Sequence, residues 1–165
     1  MECAAWMDSP IGAIVVVARE GAVGRVAFAD GDAARAPANA ARTDGSSREV
    51  RDALAQLRAY FAGELREFDL MLTPWGTPFQ ARVLDVVRAI PFGRTQTYGE
   101  VARRVGREGA SRAAGAANGR NPWAIVVPCH RVVGAGGRLT GYGGGMWRKE
   151  WLLGHEQARG FRWDR

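Results

Sequence analysis

IVVPCHRV, residues 125–132, joins a short apolar run to a cysteine and a histidine. Because the run is apolar and is followed by Pro128, we predict that Ile125–Val127 forms a short buried strand. A cysteine attacks carbon as its thiolate, and a neighbouring imidazole can take the thiol proton. Cys129 and His130 are therefore a candidate nucleophile and base. The competing interpretation is a cysteine that only fills space in the core.

A pair of short helices is predicted upstream of this segment. Thr97 and Glu100 form a capping box that begins a helix over Tyr98–Val105. An alanine-rich helix follows at about Ala110–Asn118. Two short helices joined by a glycine-containing turn are typical of a helix-turn-helix, although an ordinary helical hairpin is commoner. Basic side chains favour the DNA-binding interpretation: Arg103, Arg104, Arg107, Arg112 and Arg120.

Another capping box begins the helix before this pair. Thr77 and Gln80 have the required spacing, and Pro78 occupies the first helical position. The predicted buried stripe of this helix is Phe79, Val83, Val86 and Ile90. Leu70–Trp75 is predicted to be an extended linker that leads into this part of the chain.

The N-terminal part contains a hairpin and a helix. Ile14–Ala18 and Val23–Phe28 are rich in β-branched residues, and Glu20-Gly21 supplies the turn between them. Residues 31–45 have no period and are predicted to be a loop. A helix is predicted from Ser46, with Glu49 completing a capping box. Its predicted apolar face is Val50, Leu54, Leu57 and Phe61.

The segment after the cysteine is rich in glycine. Gly134–Gly145 holds seven glycines in twelve positions, so its backbone can approach a ligand closely. Trp147–Glu156 is predicted to be a final helix that packs Trp151 and Leu152 inward. The sequence thus predicts an α/β (α+β) chain of two domains. Residues 1–74 form a small antiparallel sheet with a helix, and residues 75–165 form a mainly helical domain containing the helix-turn-helix.

Charge divides the chain in the same way. Residues 1–80 hold 8 Lys and Arg against 11 Asp and Glu, whereas residues 81–165 hold 15 against 6. A basic half suggests a polyanionic partner, although a solvated basic surface is an equal alternative. No apolar run approaches the roughly 20 residues of a membrane span, and the start of the chain lacks signal-peptide features. With only Cys3 and Cys129, we expect no disulfide and a reduced, cytoplasmic setting.

At this point a family resemblance is evident. IVVPCHRV closely resembles the active-site segment of the O6-alkylguanine-DNA alkyltransferases. The resemblance is dense over about residues 75–157 and loose over residues 1–74. It extends to Pro91-Phe92-Gly93, Thr97-Tyr98-Gly99-Glu100, Asn121-Pro122, Gly141–Gly145 and Glu150–Glu156.

The resemblance implies a single-turnover, stoichiometric DNA repair reaction. Cys129 would attack the alkyl carbon of O6-alkylguanine, and His130 would accept the thiol proton through a water. Glu156 would orient His130. We expect the thiol to ionise well below the roughly 8.5 of a free cysteine. The thioether product does not hydrolyse, so the protein is consumed and needs no cofactor.

Other positions acquire roles from the same resemblance. Tyr98 would donate to guanine N3, or else only pack on the core at a helix start. Asn121 would brace the turn before the active-site segment. Carbonyls at Cys129 and Val132 would bind the guanine amine. Tyr142 would form a wall or a plug of the pocket. The Gly141–Gly145 loop, including Gly143 and Gly144, would cover the alkyl group.

The implied partner is double-stranded DNA, bound in the minor groove with the damaged base flipped out. Arg112 would fill the gap left in the base stack, unless it is only a solvated charge. Ala110, Ala113 and Arg120 would lie against the DNA. We expect a monomer, leave cooperative binding along DNA open, and expect no contact with membranes.

Two departures and three rival functions accompany the resemblance. Some relatives bind zinc in the N-terminal half, but here that half has only Cys3 and no histidine, so we expect no metal. Gly143 stands where many relatives carry a side chain, which suggests a less rigid loop. The rivals are a non-catalytic sensor of alkylated DNA, a transcription regulator and a cysteine hydrolase. The sensor would lack Cys129, and the other two leave the Cys-His-Glu set or Arg112 unexplained.

Overall fold

The computed structural model describes residues 2–30 and 47–161, which divide into two compact units. The first unit comprises Met1–Thr73 with Pro122–Val126, and the second comprises Pro74–Asn121 with Val127–Arg165. The sequence prediction assigned residues 122–126 to the second domain. In the structure that segment pairs with a strand of the first unit.

The first unit is built on an antiparallel sheet in the order β1-β2-β3. Its strands are β1 (Glu2–Met7), β2 (Ile14–Arg19) and β3 (Ala22–Phe28). The predicted hairpin is confirmed as β2–β3. Its turn residues Glu20 and Gly21 have φ of 53° and 81°, the left-handed pair that suits the twist of a two-residue hairpin. Strand β1 was not predicted.

Helix α1 (Arg48–Phe61) completes the core of the first unit. The predicted cap residue Ser46 and the predicted 31–45 loop lie outside the described residues. Ser47 is the N-cap, and its hydroxyl accepts a hydrogen bond from Val50 N at 3.2 Å. Phe61 is only partly buried, whereas Tyr60, at the preceding position, is fully buried. The residues that α1 buries are Val50, Ala53, Leu54, Leu57 and Tyr60.

The predicted strand at Ile125–Val127 is wrong, although its residues are buried. The backbone pairs with β3 just before this run instead. Val26 N donates to Pro122 O and Ala124 N donates to Val26 O, both at 2.9 Å. Trp123 Nε1 also donates to Val23 O at 2.8 Å. The chain then turns, and Ile125 has φ of 71°, a left-handed conformation that is costly for a β-branched residue.

The residues predicted as a linker also contribute to the first unit. Val23 N donates to Met71 O at 2.8 Å and Thr73 N donates to Val23 O at 3.1 Å. Leu72 thereby forms a parallel bridge with Val23. The segment is extended, as expected, but its first half adds an edge to the sheet.

The second unit is mainly helical. Its helices are α2 (Pro78–Arg88), α3 (Tyr98–Arg104), α4 (Ser111–Gly119) and α5 (Met146–His155). Both predicted capping boxes, at Thr77 and at Thr97, are present with reciprocal hydrogen bonds. In α2 the buried side chains are Val83, Leu84 and Val87, while Phe79 and Val86 are only partly buried. Within residues 2–30 and 47–161, no helix is long and apolar enough to cross a membrane.

A small parallel pair of strands positions the cysteine segment. Strand β4 (Gln96–Thr97), just before α3, pairs with β5 (Val132–Val133). Immediately before β5, Cys129–Arg131 forms one turn of 3₁₀ helix. Cys129 therefore lies on a tight helical turn fixed by β5, rather than at the end of a strand.

Candidate active site

Side chains from the region of α4 hold the turn that carries Cys129. The side-chain amide of Asn121 donates to Val127 O at 2.8 Å, and Cys129 N donates to the same oxygen at 2.8 Å. Asn118, in α4, donates from Nδ2 to Cys129 O at 3.2 Å. The backbone on both sides of the cysteine is therefore tied down, as a positioned nucleophile requires.

The Cys129 side chain is buried, which sets its protonation. Burial raises the pKa of the Cys129 thiol above its ordinary value, because a thiolate is poorly solvated there. Hydrogen bonding from Asn121 and the positive charge of Lys149 oppose this without cancelling it. The thiol is thus neutral at pH 7. The sequence-based expectation of a lowered pKa is wrong, because it considered the polar neighbours and not the burial.

Glu156 lies at the centre of a buried ionic cluster. Its Oε2 is 2.7 Å from His130 Nε2, and its two oxygens accept from Arg131 Nε at 2.8 Å and Nη2 at 3.0 Å. Gly93 N donates to Oε1 at 3.3 Å. Burial alone would raise the pKa of Glu156, but the charges and hydrogen bonds of His130 and Arg131 hold that pKa far below its ordinary value. Glu156 is therefore ionised at neutral pH.

His130 is fully buried and neutral at pH 7. Burial lowers the pKa of His130 below 6.5, although Glu156 pulls it upward. With Nε2 on the carboxylate, Nδ1 has no hydrogen-bond partner among the described residues. An ionised carboxylate can only accept hydrogen bonds, so Nε2 carries the hydrogen and donates it to Glu156, and Nδ1 is the basic atom. The ring can therefore accept a proton at Nδ1.

Tyr98 lies at the start of α3, where its ring packs against α4. A side chain at Gly115 would meet the ring at 3.3 Å, so glycine permits this contact. Thr140 donates from its hydroxyl to Tyr98 Oη at 3.2 Å. The phenol hydrogen of Tyr98 then remains to be donated elsewhere.

The glycine loop Gly141–Gly145 lies at the cysteine and is held by α5. Tyr142 lies close enough to the Cys129 thiol for each group to influence the pKa of the other. Burial raises the pKa of Tyr142 well above its ordinary value. Gly143 is exposed, and a side chain there would make only ordinary contact, 3.9 Å from Gly119 O. Glycine is therefore not required by space at that position.

Lys149 and Arg148 make the contacts between α5 and this loop. The buried Lys149 donates from Nζ to Val132 O at 2.7 Å and to Gly141 O at 3.0 Å. Burial lowers the pKa of Lys149 to about 8. Arg148 donates from Nη1 to Gly144 O at 2.9 Å. Both cations thus bind backbone carbonyls of the glycine loop, and Lys149 also binds the backbone three residues after the cysteine.

The residues predicted to contact DNA lie on the outer face of α4 and at its two caps. Arg112, Ala113 and Arg120 are exposed, and Ala110, the N-cap, is half-buried. The opposite face buries Ala114, Ala117 and Asn118. The structure therefore gathers Cys129, His130, Glu156, Asn121 and Tyr142 into one cluster, and leaves these four α4 positions outside it.

Three residues of the cluster were not predicted as site residues: Asn118, Arg131 and Lys149. A signal was present for two of them. Asn118 continues the stripe of Ala114 and Ala117 at helical spacing, and Lys149 has the same relation to Leu152 and Leu153. A polar residue on a buried stripe signals a buried contact. Among residues 2–30 and 47–161, no cluster of three His, Cys, Asp or Glu side chains could hold a metal ion.

Comparison with known proteins gives consistent matches over both parts of the chain. Residues 4–74 match the family model "6-O-methylguanine DNA methyltransferase, ribonuclease-like domain", and residues 78–158 match "6-O-methylguanine DNA methyltransferase, DNA binding domain". A methylated-DNA–protein-cysteine methyltransferase of Mycolicibacterium paratuberculosis is 48% identical over 92% of this chain and 90% of its own length. Its counterpart from Mycobacterium bovis is 59% identical over 65% of each chain.

A solved structure agrees with these matches. The crystal structure of Mycobacterium tuberculosis OGT in complex with DNA superposes with a TM-score of 0.82 at 44% identity. The superposition covers 93% of this chain and 92% of that one.

Proposed function

The chain belongs to the 6-O-methylguanine DNA methyltransferase family, and we propose that it repairs DNA by moving an alkyl group from guanine O6 to Cys129. One observation supports this assignment most strongly. Cys129 lies on a fixed turn next to His130, whose Nε2 is 2.7 Å from the buried carboxylate of Glu156. This is the arrangement of a nucleophile, a base and an orienting carboxylate.

The proposed reaction begins with a neutral thiol and a neutral imidazole. As the sulfur–carbon bond forms and the carbon–O6 bond breaks, the electron pair of the broken bond moves onto guanine. The thiol proton moves to Nδ1 of His130, through a water as the relay. Glu156 stabilises the imidazolium that results, and Arg131 keeps Glu156 ionised. The thioether is stable, so each protein molecule reacts once.

Tyr98 and two carbonyls are proposed to hold the guanine. The Tyr98 phenol, whose oxygen accepts from Thr140, donates to guanine N3 as negative charge develops on the base. The carbonyls of Cys129 and Val132 accept from the guanine amine. The Gly141–Gly145 loop covers the alkyl group, since Lys149 Nζ ties Gly141 O to Val132 O, three residues after the cysteine.

The DNA is proposed to bind along the exposed face of α4. Ala113 and the half-buried Ala110 present little bulk, so the helix backbone can approach the minor groove, and Arg120 lies near the phosphates. Arg112 enters the base stack and holds the target nucleotide out. The related Mycobacterium tuberculosis protein has been crystallised with DNA, which supports DNA as the partner. We further infer a monomer that acts in the cytoplasm, where Cys129 stays reduced.

Intact-protein mass spectrometry tests the proposed function. Mixing with duplex DNA that contains O6-methylguanine is expected to add one methylene per protein, located at Cys129 by peptide mapping. Cys129→Ser is expected to bind the duplex without any mass gain, while Cys3→Ser gains the methylene as the wild type does. A wild-type protein whose mass is unchanged, or one that turns over excess DNA, contradicts the proposal.

A further inference from the structure

Arg148 is attached to the glycine loop in an unusual way. Arg148 is only 5% exposed, and its Nη1 donates to Gly144 O at 2.9 Å. Its guanidinium lies 4.7 Å from the ring centroid of Trp147, which is itself 53% exposed. The exposed Trp147 ring thus covers the guanidinium and makes a cation–π contact with it.

The position of Arg148 is electrostatically unfavourable for its helix. Arg148 and Lys149 lie in the first turns of α5, where the helix dipole disfavours positive charge, and the first turn has no acidic residue. Burying two neighbouring cations adds a desolvation cost. The burial of these two cations therefore does not serve the stability of the helix. It allows their side chains to bind the carbonyls of the loop.

The two cations hold opposite ends of one loop. Lys149 binds Gly141 O at 3.0 Å and Arg148 binds Gly144 O at 2.9 Å. Lys149 Nζ also donates to Val132 O at 2.7 Å, so the loop is attached to the backbone three residues after Cys129. Glycine-rich backbone has a high conformational entropy, so these bonds fix a segment that would otherwise move over the nucleophile. The volume available to the alkyl group is thereby fixed as well.

We propose that Arg148, covered by Trp147, is a specificity-determining positioning residue that closes the glycine loop over Cys129 and disfavours bulky alkyl groups. This inference rests on the proposed function. A methyl group is small enough to be transferred beneath the closed loop. A benzyl group requires the loop to move, which breaks the bond from Arg148 to Gly144 O. Loss of Arg148 removes that cost for benzyl and offers nothing to methyl.

The test measures single-turnover rate constants on two duplexes that differ only in carrying O6-methylguanine or O6-benzylguanine. In Arg148→Met the benzyl-to-methyl ratio is expected to rise about tenfold, the effect of one charge-assisted hydrogen bond. Trp147→Leu is expected to raise it about threefold, because the guanidinium becomes solvated. Arg148→Lys, which keeps a cationic donor, is expected to restore most of the wild-type ratio.

The controls separate specificity from folding and from the chemistry itself. Arg82→Met removes an exposed arginine of α2 and is expected to leave the ratio unchanged. A purely structural role for Arg148 would lower both rate constants together, so an unchanged ratio in both Arg148→Met and Trp147→Leu overturns the inference. If Arg148→Met does not fold, the ratio in Trp147→Leu decides. If neither duplex alkylates the wild-type protein, the proposed function itself has failed.

Discussion

The two units of the molecule bury different kinds of side chain. The first packs its sheet against α1 through residues such as Val16, Leu54 and Leu57, all fully buried and apolar. In the described ranges, every buried polar or charged side chain belongs to the second unit: Asn118, His130, Arg131, Arg148, Lys149 and Glu156. Apolar burial stabilises a fold, whereas polar burial costs free energy unless partners compensate for it. The second unit therefore carries the free-energy cost of buried polar groups, and these groups lie in the part of the chain that holds Cys129.

A cavity in the apolar core of the first unit is expected to destabilise the protein strongly. Leu54→Ala leaves a cavity in the first unit and is expected to reduce the free energy of unfolding by about 2–5 kcal/mol. Urea denaturation measures this loss, with Met71→Ala, at a position 73% exposed, as the control. The rate of alkyl transfer by the folded variant is expected to be unchanged. If the transfer rate of folded Leu54→Ala falls along with its free energy of unfolding, the reaction depends on the core of the first unit.

The second prediction tests the buried polar cluster. Glu156→Gln is expected to slow alkyl transfer about 100-fold, because the imidazolium of His130 loses its carboxylate. Single-turnover transfer to free O6-benzylguanine measures this effect, and Glu150→Gln on the same helix is the control. A variant with wild-type rates would remove Glu156 from the proton relay.

The same pair predicts the direction of the pH dependence. Burial holds the pKa of His130 below 6.5, so transfer is expected to fall only when the pH drops below that value. Glu156 raises the pKa of His130, so the acid limb in Glu156→Gln is expected to move to lower pH. The relay is contradicted if the transfer rate rises towards pH 9 as the thiol ionises and does so identically in the wild type and in Glu156→Gln.

Arg112 is an exposed charge of the second unit, outside the buried polar cluster. Arg112→Ala is expected to slow repair of duplex DNA about tenfold, a modest part of the cost of base flipping, and to leave reaction with free O6-benzylguanine unchanged. Equal losses in both assays would place Arg112 in support of the fold or pocket. No loss in either would make it a solvated helix charge.

Asn118 is expected to influence alkyl transfer only slightly. Its Nδ2 binds Cys129 O, but its buried Oδ1 has no hydrogen-bond partner in the described part of the chain. Asn118→Leu is therefore expected to leave the melting temperature unchanged or higher, while transfer slows about threefold for lack of one neutral hydrogen bond. A lower melting temperature with an unchanged rate would make Asn118 a structural residue.

Local signals explain which features could be predicted from the sequence. The capping boxes at Thr77 and Thr97 are determined within four residues, and the structure contains both. Strand β1 escaped prediction because its sequence, ECAAWM, has little β preference of its own. It becomes a strand through its register with β2, in which Ala5 pairs with Val16. Long-range pairing of this kind leaves no local pattern.

In the candidate site, too, the local motif was predictable from the sequence and the long-range features were not. The motif made Cys129, His130 and Glu156 evident as candidates, and the structure brings His130 and Glu156 into contact. The β-branched run at Ile125–Val127 suggested a strand, but Asn121 captures the Val127 carbonyl and Ile125 turns the chain. The raised pKa of Cys129 depends on burial, which motif spacing does not contain.

The short segment Pro122–Val126 has a consequence for chimeras and truncations of this gene. It belongs to the first unit, although the chain before and after it belongs to the second. A fragment starting at residue 75 would carry Trp123 without its hydrogen-bond acceptor, Val23 O. Exchanging the N-terminal half with that of a relative would likewise require these five residues to travel with it. Neither unit is a contiguous stretch of the chain.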